Sequence, residues 1–156
     1  MAKDTTDEIA LASSYRLLAV CYRQSAEMLS NTIKTKSDGS PAKLTAIPIY
    51  FLISHATELL LKSALLKRGY VENDLKQFDY RHNLNSLLTS LQNNGVTVTS
   101  KTIFLINGLH SQHQSHALRY SVLTDNGQKT FWPPLPLLST MLDELLMLTQ
   151  ISTQGI

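Results

Sequence analysis

An all-α fold, a helical bundle of about five helices in up-and-down order, is what the sequence predicts, and three observations carry it. Apolar residues recur at helical spacing in five separate stretches, the links between those stretches are short, and no glycine-rich nucleotide loop or βαβ pattern interrupts them. At 156 residues the chain fits one domain with its own core, so residues 1–156 are read as a single unit.

Thr5 followed by Glu8 is a capping-box signature, and it opens a long helix expected to reach about Lys34. Ala12, Tyr15, Ala19, Tyr22, Ala26, Leu29 and Ile33 form a seam of alternating three- and four-residue steps. Small residues at that spacing suit close packing on another long helix, within the subunit or across a dimer axis. Lys36 to Pro41 is rich in turn formers. The second helix should start between Pro41 and Pro48, where proline is tolerated in a first turn, and stop at Gly69. A polar connection, Tyr70 to Asp79, leads to a third helix whose apolar face is Leu84, Leu87, Leu88 and Leu91, ending at Asn94 and Gly95. Val96 to Thr99 is too brief for a sheet. A fourth helix from Thr99 or Ser100 to about Leu118 carries Gly108 as a weak point. Asp125, Asn126 and Gly127 are the strongest turn signal and suggest a small hairpin between Tyr120–Leu123 and Lys129–Trp132. After Pro133 and Pro134, the set Leu138, Met141, Leu142, Leu145 and Leu148 defines a fifth helix, before a polar tail.

Charged residues make up only 17% of the chain, which leaves little purely solvated surface and fits a subunit interface. A net charge of +2 with scattered basic residues does not mark a nucleic-acid binder. Cys21 is the only cysteine, so no intramolecular disulfide forms, and a reduced, inert thiol is expected there. The amino terminus has no secretory pattern. Ala46 to Leu66 is the one membrane-like stretch, but His55, Glu58 and Lys62 near its middle would be costly in hydrocarbon. The expectation is a soluble, cytoplasmic protein without membrane contact.

Those three residues are also the main candidate site. At 100° per residue they lie within about 60° of one another, a polar stripe on an otherwise apolar helix. Glu58 and Lys62 have the favoured order of an i,i+4 ion pair, worth about 0.2–0.5 kcal/mol if exposed. If the helix is central, the pair must instead join a satisfied network with groups such as His82 or Arg119. A general-base role for Glu58 is the third alternative and requires a substrate cleft. Arg81 and His82 precede the third helix, where His82 would cap it or bridge to the stripe. Arg119 and Tyr120 end the fourth helix, where arginine beside tyrosine either locks the terminus or holds a phosphate or base. His110, His113 and His116 are weak metal candidates: steps of three residues can pair two imidazoles, yet no HExxH, nearby carboxylate or cysteine pair completes a set. No cofactor is implied, and no Ser-His-Asp, Cys-His or phosphate-loop signature is present.

The order of these features resembles the HEPN-like domains. Glu58, Leu59, Leu60, Leu61 and Lys62 running through Leu65 and Leu66 to Gly69 are similar to that family's second-helix motif. His82 with Leu84, Leu87 and Leu88, then Gly95 with Val96 and Val98, then Leu118, Arg119 and Tyr120 follow in the family's order. The match spans residues 47–120, about half the chain. The resemblance implies a helical bundle, usually a symmetric homodimer, with members in toxin–antitoxin, abortive-infection and other defence or RNA-processing systems. Catalytic members are metal-independent ribonucleases that use an arginine followed a few residues later by a histidine. This chain departs there: Arg81 adjoins His82, and none of Arg16, Arg23, Arg68 or Arg119 has a histidine at the family interval. A non-catalytic interaction module is the leading expectation, homodimeric and binding a protein partner, RNA or a nucleotide. A divergent ribonuclease using Arg81, His82 and Arg119 is one alternative, and a metal-binding bundle built on His110, His113 and His116 is another.

Overall fold

A computed structural model describes residues 5–41, 46–77, 79–114 and 132–150. The described residues form an all-α bundle: α1 (Thr5–Ser30), α2 (Ile47–Leu66), α3 (Glu72–Leu75), α4 (Leu84–Asn93), α5 (Ser100–Gln114) and α6 (Leu135–Leu148). No strand occurs among them, only an isolated bridge between Thr35 and Pro41, so Val96 to Thr99 stays a link. The hairpin expected around Asp125, Asn126 and Gly127, and the polar tail beyond Gln150, lie outside the described residues.

α2 is the central element, because it packs against α1, α4, α5 and α6. Its composition explains this: Ile49, Tyr50, Ile53, Ala56 and the run Leu59 to Leu61 leave almost no polar face, and all are buried. Pro48 sits in its first turn, where a missing N–H costs nothing. Its end is a Schellman motif: Tyr70 N–H donates to Leu65 O and Gly69 N–H to Leu66 O, with Gly69 at φ +91°. Gly95 closes α4 in the same way, with Val96 N–H on Leu91 O at φ +78°. At both positions a side chain would have space but not the left-handed backbone. Among the described helices α2 alone is long and apolar enough to cross a membrane, and most of it is buried inside the bundle.

α1 lies antiparallel to α2. Ala12 O accepts from Ser63 Oγ at 2.7 Å near one end, and Tyr22 meets the His55 ring edge-on further along. The alanines of the seam, Ala12, Ala19 and Ala26, are all buried, so of its two expected uses the seam serves packing within the subunit. Leu29, assigned to that seam, is exposed instead. α1 also stops at Ser30 rather than Lys34, because the Ser30 and Thr32 hydroxyls take carbonyls of its last turn. α6 runs against α1 and along α2: Arg23 reaches Ser139 and Asp143, while Arg16 reaches Thr149.

α3 falls in a segment read from the sequence as plain connection. Four residues give no periodicity to read, and long-range contacts hold the turn. Glu8, expected to close a capping box, is buried and its Oε2 accepts the Glu72 N–H, while Tyr15 Oη donates to Glu72 Oε1.

Candidate functional site: a buried carboxylate ringed by imidazoles

The stripe on α2 lies inside the bundle. Glu58 is 2% exposed. Its Oε1 accepts from Lys62 Nζ at 2.6 Å, one helical turn on. Its Oε2 lies 2.6 Å from His113 Nε2 on α5 and 3.1 Å from His82 Nδ1 in the approach to α4. A carboxylate only accepts, so those two ring nitrogens carry the protons. His55, one turn back on α2, places Nδ1 3.9 Å from the same oxygen.

Each neighbour is held by local structure. His55 is flanked by aromatic rings, stacked on Phe51 at 6.1 Å and met edge-on by Tyr22 at 4.7 Å. His82 has φ +56°, the one non-glycine residue among those described with positive φ. That conformation is uncommon for a side-chain-bearing residue and turns the chain so that the ring reaches Glu58 while α4 begins two residues later. The cap of α4 is Asn83, whose Oδ1 accepts the Ser86 N–H at 3.0 Å. His82 therefore bridges to the stripe rather than capping, the second of its two expected roles. The His113 ring packs edge-on against His82, 5.6 Å between centroids, and tilted toward His55.

The electrostatics follow from burial against pairing. Burial pushes the Glu58 carboxyl upward, but the hydrogen bond from His113 and the charge and hydrogen bond of Lys62 outweigh it and hold the group far below the ordinary carboxylate range. Glu58 is thus an anion in the core. Burial lowers the His55 pKa, partly opposed by Glu58 and reinforced by the other imidazoles and Lys62. Glu58 and His113 are nearly sealed, whereas the side chains of His55 and His82 remain 27% and 25% exposed, so the cluster has a wet edge.

Of the residues singled out from the sequence, His55, Glu58, Lys62 and His82 come together. Arg81 is exposed beside the cluster, and Arg119, Tyr120 and His116 lie outside the described residues. His113 was read as half of a metal pair with His110 or His116. A helical step of three residues does not force two imidazoles to converge, and the structure gives His113 to Glu58 instead. His110 lines a shallow depression with Tyr80, Asn83 and Ser86 near the start of α4. Burial lowers the His110 pKa, and its Nδ1 has no hydrogen-bond partner among the described residues.

A groove of about 700 Å³ lies elsewhere, between the far end of α1, α6 and the turn at Gly39. Its guanidinium, Arg23, is already committed to Glu27, Asp143 and Ser139, which leaves the groove no free cation of its own among the described lining residues.

The outward face of α1 is the other unusual surface. Ile9, Leu17, Leu18, Met28 and Leu29 are exposed, as is Cys21. From Ile9 to Ser25 no exposed residue of α1 is charged, and Glu27 beyond it is paired with Arg23. Ser13, Ser14 and Ser25 donate to the carbonyls of Ile9, Ala10 and Cys21, so their hydroxyls are already satisfied within the helix. The sequence missed this face because its seam pattern drew attention to the opposite side of α1.

Comparison with known proteins adds no relative: no family model, curated protein or solved structure matches the chain.

Proposed function

We propose that this chain is a HEPN-like interaction module that assembles as a homodimer through the outward face of α1. The observation that carries the association is that this face is uncharged from Ile9 to Ser25 and exposes Ile9, Leu17, Leu18, Met28 and Leu29, with Gln24 and three serines among them. Burying it removes apolar area from water, about 25 cal/mol per Å². Its serines already donate to backbone carbonyls, so their dehydration leaves no donor unmatched. Twenty residues of helix give a strip about 30 Å long and about 10 Å wide. That footprint of about 300 Å² is smaller than the roughly 800 Å² per partner of a stable interface, so α1 supplies its centre and flanking surface supplies the rest. The HEPN-like part of the reading rests on the order of Glu58 to Lys62, His82, Gly95 and the leucines between them. In that reading the dimer is a platform for a protein partner, RNA or a nucleotide, in a defence or toxin–antitoxin setting within the cytoplasm. Light scattering across a concentration series tests the assembly: a mass of two chains supports it, and a single-chain mass at every concentration removes it.

A second reading, a divergent ribonuclease, draws on the wet edge of the cluster, where partly exposed His55 and His82 adjoin an anion and an exposed Arg81. Its test is RNA cleavage by the wild type. Activity abolished by His82→Ala supports it, and activity unchanged in that variant identifies a contaminant.

A further inference from the structure

Three imidazoles converge on one carboxylate from three parts of the chain: His55 with Glu58 on α2, His82 ahead of α4, and His113 on α5. One ligand atom each from His55, Glu58 and His113 all lie within 4.8 Å of one another. His82 Nδ1 joins them 3.1 Å from Glu58 Oε2. We propose that His55, Glu58 and His113 form a binding site for a divalent transition metal of the zinc class, with His82 at its edge.

Donor chemistry and spacing carry the assignment. Two imidazole nitrogens and one carboxylate oxygen are a donor set that zinc takes in tetrahedral geometry with its fourth position open, at about 2.0–2.2 Å from each. Such a tetrahedron holds its donors about 3.3 Å apart. The distances to Glu58 Oε2, 2.6, 3.1 and 3.9 Å, straddle that value; the set as a whole spreads to 4.8 Å, so an ion enters as the side chains close around it and the proton that His113 now donates to Glu58 leaves Nε2. The supports of a metal site are also present. Phe51 and Tyr22 fix the His55 ring, and Lys62 hydrogen-bonds the Glu58 oxygen that points away from the imidazoles. The left-handed backbone at His82 is an uncommon conformation held in order to aim one imidazole. Charge neutralisation alone does not account for the set, because Lys62 already matches the single charge of Glu58. The partly exposed His55 and His82 provide the entry path.

The experiment uses the full chain without a polyhistidine tag, purified without chelator and titrated with Zn²⁺, with Co²⁺ as a spectroscopic substitute. The expected result is one equivalent of metal per chain, a tetrahedral Co²⁺ absorption band, and a thermal midpoint raised by about 5–10 °C at a hundredfold excess over Kd. His55→Gln, at a more exposed position than His113, should weaken binding at least tenfold, and His113→Gln should abolish it. If His113→Gln does not fold, His55→Gln decides alone. A wild type that binds no stoichiometric metal overturns the proposal. So does binding that persists undiminished in His55→Gln, since the ion is then held elsewhere. The dimer reading stands or falls separately, because neither result changes the mass of the particle.

Discussion

α1 and α2 lie side by side with their chemistry reversed. α2 is the buried helix, yet at its centre it holds an anion, a cation and an imidazole; α1 has a full face in water, yet that face exposes large apolar side chains and is uncharged from Ile9 to Ser25. Elsewhere among the described helices the exceptions are single side chains, Phe104 and Met147 exposed and Glu8 buried. α1 and α2 differ in how the cost is met. On α2 the charge is matched inside the subunit, since Glu58 has Lys62, His82 and His113 on its two oxygens. On α1 nothing among the described residues covers Leu17 or Met28. A local rule broken with compensation marks a site, and one broken without it marks a surface that something else completes.

The sharpest way to break this contrast is to strip α2 of its anion. Glu58→Ala leaves Lys62 and two imidazoles facing each other in the core, and loss of one partner of a buried ion pair costs about 3–5 kcal/mol. Urea denaturation of the variant should show a loss of that size. A change below about 1 kcal/mol would mean the cluster is hydrated in solution.

Acid attacks the same region. The Glu58 pKa is depressed in the folded state, so its contribution to stability is present above the ordinary carboxylate value of 4.5 and is lost as pH falls below it. The His55 pKa is also lowered, so protonation favours the unfolded chain, and stability begins to fall as pH drops below 6.5. Both shifts act in one direction, and denaturation midpoints should decline as pH falls below 6.5 and again as it falls below 4.5. His55→Gln should remove the upper part of that decline and leave the lower part.

The buried side of α1 responds to size rather than charge. Ala19 is 1% exposed against α2, and Ala19→Leu should destabilise by about 1–3 kcal/mol through overpacking, read from the same denaturation curves. On the outward side of the same helix, Leu17→Lys with Met28→Lys should move the stability of the subunit by no more than about 0.5 kcal/mol while abolishing self-association in sedimentation velocity. A large stability loss in that pair would show that the face is coupled to the core.

Much of this was legible in the sequence. The long helices and their stops at Gly69 and Gly95 followed from periodicity and turn chemistry, because both are local. The stripe of His55, Glu58 and Lys62 was visible because three polar residues on an apolar helix share a face. His82 was placed near it by segment order. The convergence of His113 was not legible, since which turn of α5 faces Glu58 depends on how two helices pack. α3 was hidden because contacts from Glu8 and Tyr15, distant in sequence, hold it. The free face of α1 was hidden for a related reason: a seam of alanines says which side packs, but not whether the partner is α2 or a second copy.

Cys21 offers the most direct test of the central claim, that the α1 face is covered by a second copy. It lies on that face and is the only cysteine in the chain, so its reaction with a thiol reagent reports one position. The reaction rate should fall several-fold as protein concentration rises through the range where the particle mass doubles. A rate independent of concentration, with the mass unchanged or doubled, would contradict the account by leaving α1 uncovered in solution.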